Sequence, residues 1–127
     1  MILRERRYPI LITGVADGDT FSGIQHLGDG LMRPVTVRLA AVNAYELKAP
    51  GGPEALKAVL ELLPVGSWAT LTCRPVSGRP EREDKREKYG RLLAHVTTET
   101  GVDVGQRLID LKLAIPALPS IWEGIDE

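Results

Sequence analysis

One cysteine, Cys73, stands among 127 residues. A lone thiol excludes an intramolecular disulfide and a cysteine-based zinc site, so packing alone must hold the fold. Ala69, Leu71 and Cys73 alternate along one strand face, and Cys73 is expected there as a small buried hydrophobe. Long apolar runs are also missing. Nothing approaches the roughly 18 unbroken apolar residues of a membrane span, so no membrane partner is expected. Neither charge sign dominates: 16 Lys and Arg face 17 Asp and Glu, a net charge of -1. That excludes a uniformly basic nucleic-acid binder and leaves room for a local basic site. Eleven of those 16 cations are arginine, the side chain that grips phosphate with two prongs. Histidine is scarce, and His26 and His95 fall on separate strands without ligand spacing, so no histidine metal pair is expected. After the charged start Arg4-Glu5-Arg6-Arg7, the apolar run from Tyr8 to Ile12 is too short for the core of a secretory signal. The expected location is cytoplasmic rather than secreted.

The remaining composition, 43% hydrophobic and 26% charged, is that of a globular chain. Its length suits a single domain over residues 1–127 with one sizeable core. Ile10 to Val15 is rich in branched apolar residues and reads as a strand. Asp17-Gly18 turns the chain, Asp19 to His26 is extended, and Gly28-Asp29-Gly30 turns it again. From Val35 to Val42 the pattern alternates, with Val35, Val37, Leu39 and Ala41 on one face. After a loop from Asn43 to Gly52, Pro53 suits the first turn of a helix whose apolar stripe is Leu56, Val59, Leu60 and Leu63. Trp68 to Arg74 and Tyr89 to Val96 read as two further strands, separated by a charge-dense, solvated stretch. Asp103 and Gln106 form a capping-box pattern before a second helix carrying Val104, Leu108 and Leu111. A short helical turn is expected near the end, and Trp68 and Trp122 are expected to pack. Three strands, a helix, two strands and a helix predict a mainly β fold with α: a five-stranded OB-type β-barrel with two or three flanking helices.

Four short pieces carry chemical side chains: Asp17-Gly18-Asp19-Thr20, Arg38 to Glu46, Lys88-Tyr89-Gly90-Arg91, and Asp103-Val104-Gly105 leading to Leu108-Ile109. Each alone has an ordinary reading. Asp-Gly-Asp-Thr makes a tight turn, a strand arginine pairs on a surface, and a loop glutamate is solvated.

Together, their order and content resemble the staphylococcal nuclease (thermonuclease) family. The resemblance runs from about Ile12 to Ala114. It rests on Val15-Ala16-Asp17-Gly18-Asp19-Thr20, Val37-Arg38-Leu39, Pro53-Glu54-Ala55, Glu87-Lys88-Tyr89-Gly90-Arg91-Leu92-Leu93-Ala94-His95-Val96 and Lys112-Leu113-Ala114. It implies a calcium-dependent endonuclease, a hydrolase that breaks the P–O5′ bond of DNA and RNA. By the same resemblance Arg38 and Arg91 match the catalytic arginines and Glu46 the general base for the attacking water. Asp19, Asn43 and the carbonyl of Ala44 match the calcium ligands. Lys48, Lys88 and Tyr89 would border the substrate, a lysine meeting phosphate and an aromatic ring stacking on a base. The chemistry suits these residue types: fixed guanidiniums stabilise charge developing on the phosphate oxygens, and a hard cation takes oxygen ligands. DNA or RNA is the expected partner, and the chain is expected to act as a monomer.

The sequence departs from the family at Asn43, where well-known members carry Asp, and at Tyr45, where Pro is usual. Losing a carboxylate predicts weaker calcium binding. The segment from Glu46 to Pro53 is short, which reduces any flap over the substrate. Two other readings stay open: a catalytically weak module that binds single-stranded nucleic acid or a protein, and a structural interaction domain.

Overall fold

The computed structural model of the protein describes residues 5–74, 84, 86 and 90–117. The described chain is mainly β with two helices. Seven strands run in order β1 (Arg6–Asp17), β2 (Thr20–Gly28), β3 (Leu31–Leu39), β4 (Val42–Ala44), β5 (Trp68–Cys73), β6 (Leu92–Thr98) and β7 (Ala114–Pro116); α1 (Gly52–Leu62) precedes β5 and α2 (Val104–Asp110) follows β6. Five strands pair in the order β1-β2-β3-β6-β5, and β5 pairs back onto β1, so the large sheet closes on itself. All these pairings are antiparallel except β3 with β6. Closure leaves no edge strand within the five-stranded sheet among the described residues. The inward positions fill the interior: Ile10, Ile12, Phe21, Val37, Leu39, Leu71, Cys73, Leu92 and Val96 are all buried. Each large aliphatic among them contributes about 1.5–3 kcal/mol by leaving water.

The alternation read along the third strand holds through Val35, Val37 and Leu39, and then stops. Ala41 is exposed, with φ 65, and the chain bends between β3 and β4. Val42 regains the interior, and β4 pairs with β7, a strand the hydropathy pattern did not signal. Three residues are too few to show a period. The α1 stripe is also shifted. Ala55, Val59 and Leu63 are buried, whereas Leu60 is 41% exposed. Gly18 explains the tight seat of α1: a Cβ there would lie 2.7 Å from the Ala44 methyl and 2.9 Å from the Ala55 methyl. The first turn of the sheet therefore passes directly under α1 and β4.

Cys73 is fully buried, as expected, and burial foremost pushes its thiol up to about 12. Trp68 departs from expectation. It is 39% exposed and meets His26 edge-on, with ring centroids 4.8 Å apart. Gln25 is a polar residue in the interior whose oxygen accepts from Arg33 Nε at 2.9 Å. The capping box of α2 is half made. Asp103 accepts from Gln106 N at 3.0 Å, while the Gln106 side chain donates forward to Asp110 instead of back. The turn expected after Ala117, Trp122, and the start of the fifth strand at Tyr89 lie outside the described residues.

Candidate functional site

The β1–β2 turn fixes Asp19. Asp17 Oδ1 accepts from Asp19 N at 3.0 Å, an Asx-type turn that Asp at this position favours. The Asp19 carbonyl accepts from Leu39 N at 2.9 Å, which ties the turn to the end of β3. Arg38, one residue earlier, is held by the bend that follows it. Its Nη1 donates to the carbonyls of Leu39 and Val42, each at 2.8 Å. Its Nη2 donates to Asn43 Oδ1 and lies 3.3 Å from Asp19 Oδ2. The left-handed Ala41 and the bond from Ala40 N to Ala94 O, 2.9 Å, shape the bend that turns both carbonyls toward Arg38.

Arg91 arrives at the start of β6. Its Nη1 donates to Thr20 Oγ1 at 3.0 Å, and Thr20 Oγ1 in turn donates to Asp19 Oδ1 at 3.2 Å. Asp19 thus spreads its two oxygens. Oδ2 takes Arg38 and the backbone N–H of Ala44 at 3.1 Å, while Oδ1 takes the hydroxyl that carries Arg91. Asp19 is pushed up to about 6 from the ordinary 3.8, first by burial and then by the hydrogen-bonded Asp17; the Arg38 guanidinium acts the other way. Asp17 and Thr20 are members of the site that the sequence reading left without a role. Their presence beside Asp19 in one turn was the available signal.

The structure brings together Asp19, Arg38, Asn43, Ala44 and, through Thr20, Arg91. It does not bring Glu46 or Lys48 to them by side-chain contact. Both are exposed, and among the described residues neither side chain makes a hydrogen bond or ion pair. Their loop is anchored through backbone: Glu46 O accepts from Ala49 N at 2.9 Å, and Ala49 O accepts from Gly52 N at 2.9 Å. Gly52 has no room for a side chain, because a Cβ would come within 1.9 Å of Glu46 O. The Tyr45 ring lies over Gly51, where a Cβ would be 2.6 Å from it. Lys88 and Tyr89 lie outside the described residues. A cavity of about 260 Å³ lies beside the β3–β4 bend, among Leu39, Val42, His95, Asp103 and Gln106, and none of the expected site residues among the described ones lines it.

For a hard cation, the donor chemistry at Asp19 is suitable. Asn43, Ala44 and the two carboxylates of the turn offer oxygen only. Burial first, and the neighbouring Asp17 after it, raise Asp19, and both disfavour a charge that a divalent ion would relieve. Against this, Arg38 already engages Asp19 Oδ2 and Asn43 Oδ1. Among the described residues no group of three or more His, Cys, Asp and Glu converges.

No protein-family model matches this chain, and no curated protein matches it.

Proposed function

We propose that the chain is a calcium-dependent nuclease that hydrolyses phosphodiester bonds of DNA or RNA, on an OB-type barrel. The supporting observation is the arrangement about Asp19: two arginines from distant parts of the chain converge on it, Arg38 directly at one oxygen and Arg91 through the Thr20 hydroxyl at the other. Positioned guanidiniums are what a pentacoordinate phosphate requires, because its equatorial oxygens gain charge as water attacks. Arg38 and Arg91 would take that charge. At Arg38, exchange of the Asp19 carboxylate for a phosphate would keep a charge-assisted contact on the same fork. Glu46, two residues beyond Ala44, would accept the proton of the attacking water from an open, solvent-facing loop. Asp19, Asn43 and the Ala44 carbonyl would hold the ion. A bound calcium would supply charge neutralisation at the phosphate and orient the water. Because Arg38 already binds two of these oxygen groups, the ion competes with a guanidinium, and a high calcium demand follows. The closed five-strand ladder with α1 inserted between β3 and β5 supports the OB-type assignment.

The test is cleavage of denatured DNA by the purified chain with calcium and with excess chelator. Turnover in calcium alone is expected; equal or absent cleavage in both would remove this reading. The exposed, unengaged Glu46 carboxylate favours a second reading, a weak or inactive module that binds single-stranded nucleic acid. That reading expects binding at low salt, without turnover and unchanged in Glu46→Gln.

A further inference from the structure

Thr20 opens β2, opposite Asp17 on β1 and Arg38 on β3, and is 7% exposed. Valine would fill the same volume with at least equal strand preference, so neither shape nor propensity calls for a hydroxyl here. The hydroxyl has two partners that are themselves site residues, Asp19 Oδ1 at 3.2 Å and Arg91 Nη1 at 3.0 Å. A hydroxyl holds one proton. Given to the carboxylate, that proton leaves a lone pair turned toward the guanidinium, so each bond orients the other.

We infer that Thr20 is a positioning residue, whose hydroxyl sets the Arg91 guanidinium against Asp19 before substrate arrives. A long arginine side chain gives up much rotamer freedom when it is held. Holding it in advance removes that loss from the reaction step, where misplacement by about 1 Å can cost about 10²-fold in rate. The catalytic consequence rests on the nuclease reading; the positioning itself does not.

Two measurements on the full chain separate these. In nitrogen-edited NMR, a held Arg91 guanidinium gives distinct, slowly exchanging Nη signals. These should merge in Thr20→Val and persist in Thr20→Ser, which keeps the hydroxyl. In cleavage of denatured DNA with calcium, Thr20→Val should lose about 10–100-fold in kcat with KM changed by less than about threefold, and Thr20→Ser should stay within about threefold of the parent. A hydroxyl that only satisfied the fold would lower the unfolding temperature of Thr20→Val and leave kcat and the Arg91 signals alone, and that result would overturn the inference. If the parent chain does not cleave DNA, the nuclease reading is lost and the Arg91 signals still decide the positioning. Should Thr20→Val not fold, Thr20→Ala replaces it with the same expected outcomes.

Discussion

The two parts of the proposed site are built by different means. Around Asp19, side chains are held by side chains and backbone together: Arg38 is 11% and Asp19 15% exposed, and Arg38 binds Asp19, Asn43 and the carbonyls of Leu39 and Val42 while Thr20 links Asp19 to Arg91. In the loop from Tyr45 to Gly51, backbone bonds hold the chain while Glu46 and Lys48 stand in solvent. Under the proposed function, this contrast separates groups set before substrate binds from groups set by it. Groups that stabilise charge gain from rigidity and low dielectric, since their dipoles need no reorientation during reaction. A base that accepts a proton from water can work from an exposed loop, where its position adjusts when substrate binds. On the proposed nuclease reading, Arg38 and Arg91 would be the preorganised half, and Glu46 the half completed on binding.

Removing a member of each half should show this contrast. Arg38→Ala is expected to have the largest effect, a loss of about 10³-fold in cleavage rate, together with lower stability, because it leaves Asp19 and two carbonyls without their partner. Glu46→Gln should lose about 10²-fold or more in kcat with an unchanged unfolding temperature. If Glu46→Gln instead unfolds earlier while Arg38→Ala does not, the contrast between the two halves is reversed.

Gly52→Ala tests the backbone anchor of the loop. Alanine is favoured over glycine in a helix by about 1 kcal/mol. Here the added methyl would strike the Glu46 carbonyl, a backbone atom, at 1.9 Å. Overpacking of that kind costs about 3 kcal/mol, so a net destabilisation of about 2 kcal/mol is expected in chemical denaturation. A more stable Gly52→Ala would mean that the loop is not seated against α1.

The Asp19 cluster also has a pH signature. Its folded value of about 6 exceeds the ordinary 3.8, so the folded state keeps a proton that the unfolded chain releases. The stability this contributes is complete below about pH 4 and is lost as pH rises through about 6. Relative to Asp19→Asn, the parent chain should therefore lose about 1–2 kcal/mol between about pH 4 and pH 7, after allowance for solvent screening. A flat difference between the two denaturation series would show that Asp17 and burial do not load Asp19 as described. The smallest effect expected is for Asn43→Asp, which places a carboxylate beside Arg38 and should tighten calcium binding about tenfold in calorimetric titration. Equal or weaker affinity would remove Asn43 from the ion's ligands.

Much of this was legible in the chain. Val35, Val37 and Leu39 declared an inward strand face by their spacing of two, Pro53 marked the start of α1, and Asp17-Gly18-Asp19-Thr20 marked a turn. These are local rules, in which a residue's own sterics or polarity fixes its neighbours. The bend at Ala41, the pairing of β4 with β7 and the burial of Gln25 were not legible, because each depends on partners far along the chain. The same holds for the site. Sequence supplied the arginines as a residue type suited to phosphate, and the family resemblance added Asp19 and Asn43 as ligands for a hard cation. Only the closed sheet decided that Arg38 meets Asp19 directly while Arg91 is linked to its other oxygen through Thr20, because hydrogen-bond geometry at Thr20 and Asp19 requires the ends of β1, β3 and β6 to meet in space, and no spacing along the chain encodes that meeting.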